Sequence, residues 1–319
     1  MINGIINVYK ECGYTSHDVV AKLRGILKQK KIGHTGTLDP EAQGVLPVCL
    51  GNGTKICELL TDKTKEYRAV LLLGTVTDTQ DLTGTVIQNA PVHCTEEELL
   101  SCISGFVGTQ EQIPPMYSAL KVNGKKLYDL ARQGIEVERR PRTITIEKIQ
   151  VEEIRFPEVV FTVRCSKGTY IRTLCHDIGA VLGCGGCMKA LLRTQVGPFL
   201  VKDSVRLDEI VRYRDQGELG KIVQPTDSVF MQFPSFTLTA QMERMVRNGN
   251  PLPQRLMCSQ YMQEVGEEAC AAAGTGDEKS CRLENPAEQL RLYSPDGEFL
   301  AIYGWNHENA CYKAVKMFL

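Results

Sequence analysis

Several things are scarce or missing in this chain, and each absence closes a class of function. No apolar run approaches the ~20 consecutive residues that a membrane-spanning helix needs. The N-terminal MINGIINVYKECG has no basic stretch followed by an apolar one, as a secretory leader would. The expectation is a cytoplasmic protein without membrane association. There is one C-x-x-C, Cys184 to Cys187, with no second such pair and no His pair at a spacing that would complete a tetrahedral site, so no metal is expected. His17, His93, His176 and His307 stand isolated from one another and read as surface or structural residues; His34, in the loop that carries Asp39, is the exception. The glycines of GHTG and GNG follow neither the dinucleotide nor the P-loop spacing, which argues against a bound nucleotide cofactor. No internal repeat is visible. The thirteen cysteines are odd in number and scattered, in a chain too large to need covalent staples, which fits reduced thiols in a reducing compartment.

What is present is a chain of 319 residues, 43% hydrophobic and 24% charged, enough for one sizeable core and a smaller domain. The net charge of −1 hides an uneven distribution. Residues 21–31, AKLRGILKQKK, hold five basic groups and no acid, and residues 121–148 hold eight basic against four acidic. Residues 251–290 reverse this, with three basic and seven acidic. The two basic stretches suit a phosphate backbone; the plainer reading is that they are solvated helix faces.

Along the chain, IINVYK reads as a strand. YTSHDVVAKLRGIL reads as an amphipathic helix capped by Ser16, with Val19, Leu23 and Ile26 or Leu27 at helical spacing. YRAVLLLGTVTDTQDLTGTVI reads as two strands joined by an Asp/Thr-rich loop, and CTEEELLSCISGFVG as a helix capped by Thr95. QIPPMYSALKVNGKKLYDLARQGIEVERRPR reads as a long basic excursion, of a length that compact domains keep for function or mobility. A strand, a Ser-Lys-Gly turn and a helix with Ile171, Leu174, Ile178 and Leu182 on its buried stripe follow. Arg172 lies in the first turn of that helix, where the helix dipole disfavours a cation, so a carboxylate from elsewhere should answer it. QPTDSVFMQFPS, residues 224–235, reads as a linker, and the C-terminal part as a small β-rich domain with a hairpin at Pro295-Asp296-Gly297.

Within KKIGHTGTLDPEAQGVLPVCLGNGTK one acid, Asp39, sits between a Gly/Thr-rich approach and an apolar run. Asp39-Pro40 would make an ordinary turn. The polar groups and bare backbone crowded around the acid favour a site instead.

Four motifs occur in order over roughly residues 30–180: GHTGTLDPEAQGVLPVCLG, Lys65-Glu66-Tyr67, the QIPPMYSALK excursion and CSKGTYIRTLCHDIG. Together with VYKECGYTSHDVV they resemble the TruB family of tRNA pseudouridine synthases, bacterial type, and the likeness runs to about residue 230. Glu11 stands where the family usually has proline after the lysine of its N-terminal motif. The final domain resembles a PUA-like RNA-binding module loosely.

The resemblance implies an α+β pseudouridine synthase fold, with a central mixed, largely antiparallel sheet flanked by helices and loops, plus a small β-rich PUA-like C-terminal domain. Residues 1–232 would be catalytic, with an RNA-clamping excursion at about 115–142, and 233–319 would be PUA-like, with a flexible insertion at about 258–281. The implied substrate is tRNA, at the uridine of the TΨC loop, with no obligatory protein partner and no cofactor. The base flips out, its C1′–N1 bond breaks, and it rejoins through C5. By resemblance Asp39 is the catalytic carboxylate, Arg172 its partner, and Tyr67 the ring stacked on the base and an assistant in loss of the C5 proton. Tyr170 and Leu191, or Leu192 in the other register, would line the pocket; the plainer alternatives are Tyr67 as strand core and Leu191 as helix core. His34 would pack on the rearranged loop. Lys121, Lys125, Lys126, Arg132, Arg139 and Arg140 would clamp the stem-loop. Two rivals stand beside this. A nucleoside or glycoside hydrolase would want a second positioned carboxylate and release free uracil. A noncatalytic RNA chaperone would need no acid, and a tRNA-refolding role is compatible with catalysis in one protein.

Overall fold

A computed structural model describes residues 1–122, 124–257 and 287–319; the insertion expected at 258–281 lies outside the described residues. The chain divides into two compact units. One comprises Ile6–Cys49 and Ile56–Val223, the other Met1–Ile5, Leu50–Lys55 and Gln224–Leu319. Among the described residues no helix is long and apolar enough to cross a membrane.

The larger unit is built on a mixed sheet. Its longer strands are β1 (Gly4–Lys10), β2 (Gln43–Leu50), β3 (Lys65–Leu73), β4 (Gly108–Gln112), β5 (Arg142–Arg155), β6 (Glu158–Cys165) and β7 (Gly186–Val196), in the spatial order β1-β2-β7-β3-β6-β5-β4. The ladders from β7 through β4 are antiparallel, and β7 pairs with β2 in parallel. The sequence explains the sites of burial. In β3, KEYRAVLLL, the residues Lys65, Tyr67, Ala69, Leu71 and Leu73 alternate onto one buried face. β2, QGVLPVCL, is buried almost throughout, as an interior strand covered on both faces must be.

Helix α1 (Ser16–Leu27) buries Val19, Val20, Leu23 and Leu27. Its N-cap is Thr15 rather than Ser16: the Thr15 hydroxyl accepts the Asp18 N–H and the Asp18 carboxylate accepts the Thr15 N–H, a reciprocal capping box. Helix α2 (Glu96–Ser104) has the same box between Thr95 and Glu98. Helix α3 (Ile171–Val181) buries Ile171, Leu174 and Ile178 as its periodicity predicts, and Arg172 as well. After β3 the chain does not run into a single further strand. It turns at Gly74 into a short hairpin, Thr75–Thr77 with Val86–Asn89, whose loop spans residues 78–85.

In the second unit five strands, Ser235–Thr237, Leu252–Pro253, Gln289–Tyr293, Phe299–Asn306 and Cys311–Met317, form a β-rich sheet around Leu292, Leu300, Tyr303 and Tyr312. The stretch read as a linker is packed here. Phe230 is buried, and its ring lies 5.9 to 6.3 Å from those of Phe233, Phe299 and Phe318.

Candidate active site

The Asp39 loop is held by its backbone from two sides. From the helix side, Ser16 accepts the Leu38 N–H at 2.9 Å, and Lys10 Nζ donates to the carbonyls of Pro40 (2.9 Å), Tyr14 (2.5 Å) and Glu11 (3.1 Å). From the sheet side, Arg193 on β7 donates to Val45 (2.7 Å), Gly36 (3.4 Å) and Thr37 (3.5 Å). Arg193 is 1% exposed and has no carboxylate partner among the described residues, so loop carbonyls answer its charge. Gly44 makes this approach possible. At φ +106, a β-carbon there would fall 2.2 Å from the Arg193 carbonyl oxygen.

So held, Asp39 faces Arg172. Arg172 Nε lies 3.0 Å from Asp39 Oδ2 and its NH2 3.3 Å from Oδ1, a side-on, two-point pair. The remaining donors are also occupied: NH1 donates to the Thr79 carbonyl (3.1 Å) and Asp81 Oδ2 (3.5 Å), and NH2 to the Tyr117 carbonyl (2.8 Å). One guanidinium thus gathers the acid, the 78–85 hairpin loop and the base of the excursion. Asp39 keeps a 38% exposed side chain while that of Arg172 is 6% exposed, so the acid is the member a substrate can reach. The surrounding protein displaces water and pushes the Asp39 carboxyl above its ordinary range; Arg172 opposes this, Asp81 adds to it, and Lys10 opposes it. Asp81 is committed elsewhere. Its Oδ1 accepts from the hydroxyls of Thr79 (2.7 Å) and Thr83 (2.5 Å) and from the Thr83 N–H (2.9 Å).

The wall beside the acid comes from β3 and β7. Arg193 lies directly across the ladder from Tyr67, and Leu191 across from Ala69. These residues share one face, and Leu191 packs on the core cluster that contains Tyr67 and Leu38. Leu192 pairs with Arg68 and faces the other way, and the segment is strand rather than helix. Tyr67 is buried, which pushes its phenol up against the opposing pull of Arg193. Tyr170 is the N-cap of α3. The buried Gln112 side chain clasps its backbone, accepting its N–H at 2.8 Å and donating to its carbonyl at 3.0 Å. His34 ends the Ile32–His34 strand, half-buried, with Nδ1 accepting the Gly36 N–H at 3.3 Å; burial, then Arg193, lowers its pKa.

The excursion is not wholly extended. Lys121–Val122 pairs with Lys125–Lys126, and the short helix Leu127–Ala131 buries Leu127 and Leu130 as its own anchor. Lys121, Lys125, Lys126, Arg132 and Arg140 are exposed. Lys126 and Arg132 flank the Tyr128 ring at 5.1 and 5.4 Å. Arg139 differs: its side chain is 21% exposed and donates to the Pro114 carbonyl (3.3 Å) and Glu136 (3.1 Å), tying the two ends of the excursion together.

Residues 24–171 match the TruB family pseudouridylate synthase N-terminal domain, and residues 172–231 the tRNA pseudouridylate synthase B C-terminal domain. The tRNA pseudouridine synthase B of Lachnoclostridium phytofermentans is 48% identical, with 100% of both chains covered. That of Clostridium perfringens strain SM101 is 46% identical over 89% of this chain and 98% of its own. The chain belongs to the TruB family. A chain of a Cbf5-Nop10-Gar1 complex superposes with a TM-score of 0.68 at 26% identity, over 99% of this chain and 85% of its own. One from an H/ACA ribonucleoprotein bound to a substrate RNA containing 2′-deoxyuridine gives 0.68 at 24%, over 99% and 85%.

In this TruB-family chain the structure adds residues that sequence reasoning passed over: Asp81, Thr79, Ser16, Lys10, Gln112 and Arg193. The Asp/Thr density of TVTDTQDLTG was visible, but it read as an ordinary polar turn. Lys10 figured only as part of the N-terminal motif and Arg193 only as the flank of a leucine pair, because a cation in a strand looks solvated until the fold buries it.

Proposed function

We propose that the chain isomerises uridine 55 in the T loop of tRNA to pseudouridine, acting alone on the T arm in the cytoplasm. The observation that carries this is the side-on Asp39–Arg172 pair, with the acid exposed beside a face that bears Tyr67 and Leu191. Departure of uracil leaves oxocarbenium-like charge at C1′, and a carboxylate beside the sugar stabilises it. Attack at C1′, addition to the base and removal of the C2′ proton all begin from the ionised acid, which Arg172 keeps aimed. The base's bond to C1′ passes from N1 to C5, and the proton lost from C5 is matched by one gained at N1, so the reaction is an isomerisation whose balance needs no further reactant. Tyr67 supplies a ring for the flipped pyrimidine, Tyr170 and Leu191 enclose it, and His34 braces the opened loop. The apolar strand after Asp39 keeps water from the detached uracil. Lys121, Lys125, Lys126, Arg132 and Arg140 follow the stem phosphates, and the β-rich C-terminal part is read as a PUA-like RNA-binding domain.

A glycosidase reading fits the geometry less well. Asp81 is a second carboxylate, yet it shares the Arg172 guanidinium and is hydrogen-bonded by two threonines, so it is not presented as a general acid. The test is incubation of purified protein with a T-arm hairpin and no added cofactor. Pseudouridine at one position without free uracil is expected. Asp39→Asn should bind within about twofold of wild type, ~0.4 kcal/mol, and yield none. Arg172→Lys should lose most turnover, because an ammonium lacks the planar fork. Free uracil from the wild type, or normal turnover by Asp39→Asn, overturns the reading.

A further inference from the structure

Between Asp18 and Asp39 the chain carries five Lys or Arg and no acid. Three of these, Lys28, Lys30 and Lys31, crowd the turn that leaves α1, and all three are exposed. Lys28 ends the helix in the left-handed region, φ 52 and ψ 35, a conformation that glycine adopts without strain and a lysine does not. The helix dipole favours a cation at this end but does not call for three within four residues.

The turn is also braced. Arg24 folds back so that its Nε donates to the Lys30 carbonyl at 3.1 Å and its NH2 to the Ile32 carbonyl at 3.3 Å. Arg214, from the helix Leu207–Asp215, donates to the Ile26 carbonyl at 3.3 Å. Two arginines therefore fix the backbone while Lys28 and Lys30 point charge outward, in no ion pair among the described residues. The neighbouring helix pairs its cations locally, Arg212 with Asp208 and Glu209, and Arg214 with Asp215. The turn leads straight into Ile32–His34. At ~3.3 Å per extended residue, Lys30 lies roughly 13 Å along the chain from His34, within a few nucleotides of a base held there.

We propose that the Lys28–Lys30 turn is a second contact for the sugar-phosphate backbone of the substrate RNA, distinct from the excursion. The proposal rests on the tRNA reading above. Two lysines on a braced turn fit this partner because backbone phosphates recur at fixed intervals and give no reward for sequence.

The test is the salt dependence of T-arm hairpin binding by the full chain with Lys28→Asn and Lys30→Gln combined; asparagine tolerates the left-handed position. Two lost phosphate contacts should lower the log–log slope by roughly 1.4 to 1.8, and the Lys28→Arg/Lys30→Arg variant should keep it. An unchanged slope and affinity, or a slope that falls equally in the arginine variant, overturns the proposal. Pseudouridine formation by wild type on the same hairpin separates the two readings. Product with an unchanged slope rejects the turn alone, whereas a lowered slope without product rejects the catalytic reading and leaves an RNA-binding surface.

Discussion

Ser16, the first helical residue of α1, holds the main chain of Leu38 through both functions of its hydroxyl, accepting the N–H at 2.9 Å and donating to the carbonyl at 3.4 Å. The residue next to Asp39 is therefore fixed by a helix whose own start is set by Thr15 and Asp18. Ser16→Ala leaves the Leu38 N–H buried without its partner, at a cost of about 1–3 kcal/mol. A lower urea midpoint at unchanged m-value is expected, with kcat reduced more than RNA affinity. A wild-type midpoint and kcat would show that the contact positions nothing.

Asp39 must be ionised to act, and its carboxyl is pushed above the ordinary range, first by loss of water and then by Asp81. The acid limb of the single-turnover rate should therefore lie at higher pH than for a free aspartate. Asp81→Asn removes one negative neighbour, so the Asp39 pKa falls and the limb moves to lower pH, even if the plateau rate drops. Removing the opposing cation in Arg172→Met should move it to higher pH. A limb that stays fixed in both variants would assign it to another group.

Lys10 is buried among three carbonyls, and loss of water lowers its pKa to about 8. The folded state then gives up its proton before the unfolded chain, whose lysine titrates near ~10.4. Between about pH 8 and ~10.4 the unfolded state holds more protons, so this group's contribution to stability rises with pH. Denaturation of wild type and Lys10→Met should show a destabilisation by the substitution that is larger at about pH 10 than at about pH 7.5. A constant difference would mean that Lys10 titrates normally.

Arg139 and its neighbours should separate by experiment. Arg139 ties Pro114 to the far end of the excursion, whereas Lys125, Lys126 and Arg140 face solvent. Neutralising those three should lower the log–log salt slope of RNA binding by up to about 2 to 3. Arg139→Ala should instead leave the slope unchanged, where a lost phosphate contact would lower it by roughly 0.7 to 0.9, and increase protease cleavage within 115–142. The reverse pattern would make Arg139 the phosphate ligand.

The legible parts were those with a local cause. The run YRAVLLL marked β3, the spacing of Ile171, Leu174 and Ile178 marked α3, and the unfavourable place of Arg172 in a first turn pointed to a distant carboxylate. The cap of α1 was misplaced by one residue because both Thr15 and Ser16 suit the position. The reciprocal Asp18 decides for Thr15 and frees Ser16 for the catalytic loop. Leu191 and Leu192 were indistinguishable, since adjacent strand residues face opposite ways and only the register against β3 says which faces Tyr67.

What the sequence by itself determined is the chemical inventory: one acid in a glycine-rich loop, an arginine in a helix start, a tyrosine in an apolar strand, and basic stretches beside them. Tertiary structure decided which of these meet. Asp39 and Arg172 lie 133 positions apart, and Arg172 reaches Asp81 and Tyr117 across 91 and 55 positions. No local preference encodes such pairings. They arise because strand register and helix packing bury one guanidinium, and a buried guanidinium must take its partners from whatever carbonyls and carboxylates the fold brings within hydrogen-bond reach.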